Sequence, residues 1–143
     1  MKSYINDGSN ESNVKRLNSN YILLGTDLSN IKNLENLLDN THIDYECPTL
    51  FISECVITYM KVDDSDRLIN WMSRKFFDSA FVNYEQIHPN DGFGTVMLRH
   101  FDKLQSPLLS VTKYPDCKSH EKRYKELVNY FFFFFTLKFL GNV

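Results

Sequence analysis

The sequence predicts an α/β fold, a parallel sheet layered against helices, and three observations carry that prediction. Apolar, β-prone runs recur at Tyr21–Leu24, 49–59 and 80–84. Each of the first two is followed by a polar interval whose apolar residues fall at helical spacing, so the order reads β-α-β-α-β. The runs FISECVI and AFV lack polar alternation, as strands covered on both faces of a parallel sheet should. Together these features favour a doubly wound layer over a sandwich of alternating strands.

Taken in order, residues 1–20 open on MKSYINDGSNESNVKR, a polar stretch with no apolar signal region, and read as a flexible leader. The first helical interval has Ser29 or Asn30 as its cap and Ile31, Leu34, Leu37 and Leu38 on one stripe, before a turn near Asp39 and Asn40. In the second, Asp63, Asp64, Ser65 and Asp66 precede Leu68, Ile69, Trp71, Met72, Phe76 and Phe77. Acidic residues there suit the positive end of a helix, and Trp71, Phe76 and Phe77 read as core against the sheet. A third helix is expected over 91–104, with Phe93, Val96, Met97, His100, Phe101 and Leu104 on one side. Beyond Pro107 the sequence reads as a strand at 108–112 and a charged helix at 119–127.

The domain is thus expected over 21–112, with 113–143 as a tail. That tail holds YFFFFFTLKFL, eleven residues with no amphipathic period, whereas about 20 apolar residues are needed to cross a bilayer as a helix. No membrane span is expected from it. Its composition is that of a translated pyrimidine-rich tract, and it is expected to lie outside the evolved domain.

Composition narrows the function classes. A chain of 143 residues, 43% hydrophobic, can bury one core. A formal charge of −2 offers no basic excess for a phosphate backbone, so nucleic acid is not expected as a partner. Cys47, Cys55 and Cys117 form no Cys-x-x-Cys pair and read as reduced structural thiols of a cytoplasmic protein. His42, His88, His100 and His120 lack the spacing of a zinc site, and Asp63, Asp64 and Asp66 lack the glycine and final glutamate of a calcium loop, so no metal is expected. Neither a Gly-x-Ser-x-Gly elbow nor a Cys-His pairing points to a covalent nucleophile. Asp91-Gly92-Phe93-Gly94 is not the kinase metal-binding triplet, because Gly92 interrupts it.

In doubly wound sheets ligands bind outside the carboxyl ends of the strands. The residues just after each apolar run are therefore the candidates: Asp27 and Leu28 after the first, Glu54 in the second, and Asn83, Tyr84, Glu85 and Gln86 after the third. A carboxylate inside an apolar strand is costly to bury unpaired, which makes Glu54 either a salt-bridge partner or a ligand group for a cation. Asp27 by itself reads equally as a helix cap or a ligand contact. Tyr59 follows Glu54 by five residues, so the two point to opposite faces unless the chain bends at the strand end.

Four segments in sequence, Gly25-Thr26-Asp27-Leu28, Pro48 to Met60 (PTLFISECVITYM), Phe81 to Gln86 (FVNYEQ) and Asp91-Gly92-Phe93-Gly94, resemble the leucine carboxyl methyltransferase family. The resemblance covers roughly residues 20–110. It implies a partial class I, Rossmann-like S-adenosylmethionine methyltransferase fold, a parallel three-stranded core with flanking helices. It further implies S-adenosyl-L-methionine as cofactor, with Asp27 and Leu28 beside its adenine and Glu54 facing its methionine part. The implied activity is methylation of the C-terminal leucine carboxylate of the type 2A protein phosphatase catalytic subunit, whose C-terminal tail is the implied partner. Under this reading Tyr59 helps place the acceptor carboxylate, Asn83 to Gln86 line the acceptor rim, and no residue acts as a general base. The family's Gly-rich turn and the acidic end of its second strand have no counterpart before Tyr21, so only the later half of the cofactor site is expected here. The alternative is a non-catalytic, truncated form that acts as a binding module for the phosphatase or a partner chain.

Overall fold

A computed structural model describes residues 14–18, 21–128 and 132–138, the first and last of these spans by their backbone alone. The chain divides into two units, Met1–Ile43 and Asp44–Val143.

In the first unit, strand β1 (Val14–Asn18) pairs antiparallel with β2 (Tyr21–Leu24), Val14 opposite Leu24, with an irregularity between Arg16 and Asn18. Helix α1 (Ile31–Asp39) follows. Asn30 is its cap, the side-chain oxygen accepting from the Asn33 N–H at 3.2 Å, and Leu34 and Leu37 are its buried residues. This pairing corrects the expected role of the first apolar run, which does not join the parallel sheet. Exposure alternates along β2, with Tyr21 and Leu23 outward, the pattern of a half-solvated antiparallel ribbon. Val14–Asn18 lie within the stretch expected as a leader; the rest of 1–20 is outside the described residues.

The second unit holds β3 (Thr49–Glu54), a 3-10 turn (Ile57–Tyr59), α2 (Val62–Lys75), β4 (Ser79–Glu85), α3 (Gly92–Lys103), α4 (Cys117–Leu127) and β5 (Phe132–Lys138). Its sheet runs β3-β4-β5. Strands β3 and β4 are parallel neighbours, Thr49 opposite Ser79 and Glu54 opposite Tyr84, joined by α2 as a parallel crossover requires. The third place, parallel to β4, is taken by the backbone of the Phe-rich tract, Ser79 opposite Phe132 and Glu85 opposite Lys138. The expected set of three strands is corrected accordingly: 21–24 is elsewhere, and 132–138 stands in the sheet. Residues 139–143 of the tail lie outside the described residues.

Burial shows that the sheet has one core face. Along β4 the buried residues are Ser79, Phe81, Asn83 and Glu85, alternating with half-buried Ala80, Val82 and Tyr84. On β3, Leu50 and Ile52 are 59% and 71% exposed, so the lack of polar alternation there does not reflect cover on both faces. The core face is packed by α2 and α4. Phe76, just past α2, meets Phe51 edge-on at 4.8 Å between centroids, and Tyr124 of α4 meets Phe81 at 5.7 Å. The Asn83 amide donates to the Tyr124 hydroxyl at 2.7 Å. Phe77, expected in the core, is 69% exposed, while Phe76 is 2% exposed.

A buried cation clamps the two helices. The Arg123 side chain, 1% exposed, bonds the Asp66 carboxylate at 2.7 Å, donates to the Ser65 hydroxyl and lies 4.2 Å over the Tyr114 ring. Tyr114 in turn donates to Asp66 at 3.1 Å, and the Asn70 amide reaches the Leu127 carbonyl at 2.7 Å. Helix α4 starts two residues earlier than its charged pattern indicated, because Asp116 and Ser119 form a capping box.

Residues 108–112 form an irregular loop, correcting the expected strand. The N–H groups of Leu109 and Ser110 both donate to the Thr58 carbonyl, at 2.8 and 3.2 Å, and Leu108 and Val111 pack on Met97. Those contacts use up the backbone donors a strand would need.

Removing Asp66 would leave the buried guanidinium without its anion. Asp66→Ala is expected to destabilise the fold by about 3 kcal/mol, read as a fall in the urea midpoint at unchanged slope.

Candidate functional site

The carboxyl ends of β3 and β4 bring together most of the residues singled out from the sequence. Strand β3 stops at Glu54 because the next residue, Cys55, has φ 52, a left-handed conformation unfavourable for a non-glycine side chain. Its N–H is held by the Tyr84 carbonyl at 2.8 Å. The chain therefore leaves the sheet at Cys55, and the strand expected over 49–59 is five residues shorter, ending at Glu54. Glu54 is exposed at the strand end, which corrects the expectation of a carboxylate enclosed by apolar groups. The bend at Cys55 also removes the face parity of an extended strand. Tyr59, 38% exposed, sets its ring edge against Phe101 at 6.0 Å between centroids.

Asp27 and Leu28 belong to the first unit. One Asp27 carboxylate oxygen accepts the Ser29 N–H at 2.9 Å, and its carbonyl accepts the Asn30 N–H at 3.0 Å. The hydrogen bonds from Ser29 hold the Asp27 carboxyl below the usual carboxylate range. Asp27 is thus the turn that feeds α1 rather than its cap, which is Asn30, and it is exposed while Leu28 is half-buried.

At the end of β4 the four polar residues divide. Asn83 and Glu85 are buried, 0% and 1% exposed, so they are not the rim that the sequence suggested. Burial raises the Glu85 carboxyl above its ordinary range. Its Oε2 lies 3.7 Å from Nε2 of His120, which is also buried. Burial, assisted by the Arg123 charge, pushes His120 down to about 4. At neutral pH the imidazole is uncharged, and this contact is not an ion pair. Glu85 Oε1 and Gln86 Oε1 are both buried without a hydrogen-bond partner. Tyr84 and Gln86 are half-buried.

These residues open into a cleft of about 200 Å³ lined by Cys55, Tyr84, Glu85, Gln86, Phe93, Met97 and Phe101. Its apolar wall is one stripe of α3. Met97 is buried and Phe93 is 59% exposed, so the stripe expected on one side of this helix is buried only in part. The start of α3 is pressed onto the segment after β4: a Cβ on Gly94 would stand 2.2 Å from the His88 carbonyl oxygen. Glycine at that position is what lets α3 close the cleft. A second hollow, of about 230 Å³, lies at Pro48, Thr49 and Asp78 to Ala80, at the amino ends of the strands and away from the side where such sheets bind ligands.

All three cysteines are free thiols, with Cys47 exposed. Among the described residues no three His, Cys, Asp or Glu side chains are placed to hold a metal, and no helix is long and apolar enough to cross a membrane.

The family model for leucine carboxyl methyltransferase matches residues 10–73, a span that includes Asp27, Leu28, Glu54 and Tyr59. Over this span the chain is similar to the leucine carboxyl methyltransferase family. It is 39% identical over 106 residues to tRNA wybutosine-synthesizing protein 4 of Rattus norvegicus, covering 74% of this chain and 16% of that protein. It is 37% identical over 106 residues to the leucine carboxyl methyltransferase 1 homolog of Arabidopsis thaliana, covering 74% and 32%. Against leucine carboxyl methyltransferase 1 of Rattus norvegicus the figures are 35% over 108 residues, 76% and 32%. The chain therefore spans about a third or less of the length of these relatives.

Within the second unit, Glu54 is an exposed carboxylate at the end of a parallel strand, the chemical type that would match an ammonium group of the cofactor the family implies. Neither β3 nor β4 is followed directly by a glycine cluster.

The His120 shift fixes a pH dependence. Because its folded pKa is depressed, its contribution to stability is complete above about pH 6.5 and is lost as pH falls toward about 4. An NMR titration should find the His120 imidazole neutral at pH 5.5, and His120→Gln should flatten the stability profile across that window.

Proposed function

We propose that the site serves methyl transfer from S-adenosyl-L-methionine to a carboxylate, and that the acceptor is the C-terminal leucine of the type 2A protein phosphatase catalytic subunit. The observation that carries this reading is Glu54. It stands exposed at the carboxyl end of β3, inside the segment matched by the family, beside a cleft with an apolar wall. When bound, the cofactor supplies an electrophilic methyl on a sulfonium. Glu54 would hold the ammonium of the cofactor's methionine part, and the adenine contacts of Asp27 and Leu28 are carried over from the family resemblance. Tyr59 offers a phenol O–H to the acceptor carboxylate.

No described residue needs to remove a proton, since a C-terminal carboxylate is already ionised at neutral pH. What the site must provide is alignment, and orientation of two bound groups can account for about 7–11 kcal/mol of a barrier. Exclusion of water by Phe93 and Phe101 leaves the acceptor oxygen less solvated. The setting for this chemistry is the cytoplasm, where the phosphatase tail is the partner.

One other reading has an observation of its own. The first relative named above is a tRNA wybutosine-synthesizing protein 4, at 39% identity, which supports action on tRNA.

Isothermal titration of the 143-residue chain with S-adenosylhomocysteine decides whether the cofactor site works. Saturable binding that Glu54→Ala weakens by tenfold or more is the expected result. No binding to a sample shown to be folded would remove the methyl-transfer reading.

A further inference from the structure

We propose that the outer edge of β3 pairs antiparallel with the same edge of a second copy of this chain, in the register that sets Leu50 of each copy opposite Ile52 of the other. This interface lies outside the cleft and does not rest on the methyl-transfer reading.

In the sheet order β3-β4-β5, β4 is the one strand neighbour of β3 among the described residues. The Thr49 N–H donates to the Asp78 carbonyl and the Cys55 N–H to the Tyr84 carbonyl, at 2.9 and 2.8 Å. The odd-numbered residues of β3 therefore turn their backbone groups toward β4, and the alternation of a strand turns those of Leu50, Ile52 and Glu54 toward the outer edge. An edge without a strand partner is a template for another strand, and proteins that resist this place Lys, Pro or a bulge there. Residues 49–53, TLFIS, contain no charge and no proline, and their register with β4 runs without a shift.

The same residues that offer backbone groups to the edge hold apolar side chains in water. Leu50 is 59% exposed and Ile52 71%, so one added strand pairs the backbone and covers the side chains together.

Self-complementarity selects a second copy over an arbitrary extended segment. A two-fold contact matches a patch with itself. With the axis at Phe51, Leu50 and Ile52 form the hydrogen-bonded pairs, each exchanging both N–H···O bonds, and their side chains join in one apolar strip on the open face. Thr49 falls opposite Ser53 on the core face. Glu54 falls opposite Pro48, which lacks an N–H and ends the ladder. At strand spacing the two Glu54 carboxylates then stand about 20 Å apart, beyond the ~8–10 Å over which charges act in physiological salt. An axis at Ile52 would instead set Glu54 against Leu50 and desolvate a carboxylate on an apolar side chain. One strand pair with its flanking side chains falls short of the ~800 Å² per partner of a standard interface, so the dimer is reversible and forms as concentration rises.

Sedimentation velocity of the 143-residue chain over a concentration series is expected to show a monomer converting reversibly to a dimer. Ile52→Lys puts a charge into the strip at an exposed position, and is expected to weaken the dimer roughly tenfold or more with an unchanged circular dichroism spectrum. Leu50→Cys and Ile52→Cys chains, each also carrying Cys47→Ser, are then mixed and mildly oxidised. A disulfide joining positions 50 and 52 is expected in peptide mass spectrometry, since opposed Cα atoms of a hydrogen-bonded pair lie about 5.5 Å apart.

A monomer at every concentration overturns the proposal, as does a dimer indifferent to a folded Ile52→Lys. Growth past the dimer, or a disulfide joining position 52 to itself in place of 50 to 52, overturns the two-fold register. A dimer lost in Ile52→Lys together with the disulfide between 50 and 52 supports it, and if Ile52→Lys alters the circular dichroism spectrum the disulfide decides alone.

Discussion

The buried guanidinium of Arg123 is the interaction on which the second unit depends. Its hydrogen bonds to Asp66 and Ser65 and its place over the Tyr114 ring dock α4 against the start of α2. Once α4 is docked, Tyr124 sits beneath Phe81 and accepts from Asn83, and His120 sits beside Glu85. A charge this far from water is tolerable only because its partners are in place, which makes the docking geometry close to all-or-none.

That docking determines the character of the cleft floor. Glu85 is shut in by α4 from one side and opens into the cleft from the other, so burial opposes its charge while leaving one oxygen without a partner. The neutral imidazole of His120 gives it no counter-ion. Glu85 is thus a desolvated carboxyl at the end of β4, while Glu54 is an exposed carboxylate at the neighbouring strand end. Environment alone sets the two carboxyls apart. The opposite face of the sheet is a contrast: Leu50 and Ile52 stand open, an apolar surface of the kind that promotes association.

What was legible in the sequence follows from local rules. The β3-α2-β4 crossover was readable from apolar runs separated by a helical stripe, as were the acidic first turn of α2 and a cap at Ser29 or Asn30, of which the structure uses Asn30. Glu54 at a strand end followed from its motif. Non-local pairing was not readable. The apolar run at 21–24 could serve either sheet, and only the pairing with Val14–Asn18 decides for the antiparallel ribbon. The Phe-rich tract had no period to place it, yet its backbone is hydrogen-bonded beside β4. Phe93, Met97 and Phe101 were visible as an apolar stripe, but a stripe that lines a cleft has the same spacing as one that fills a core.

By itself, then, the sequence determined the α/β class, the order of the central crossover and the family resemblance, because these rest on periodicity, capping and a long specific motif. The tertiary structure alone decided where the sheet's members come from, that Glu54 is solvated and Glu85 is not, and that α3 leaves a cleft at the strand ends. The physical reason is that burial and desolvation are properties of contacts between residues distant in the chain, such as Arg123 with Asp66 and Gly94 with the His88 carbonyl, and no local pattern encodes them.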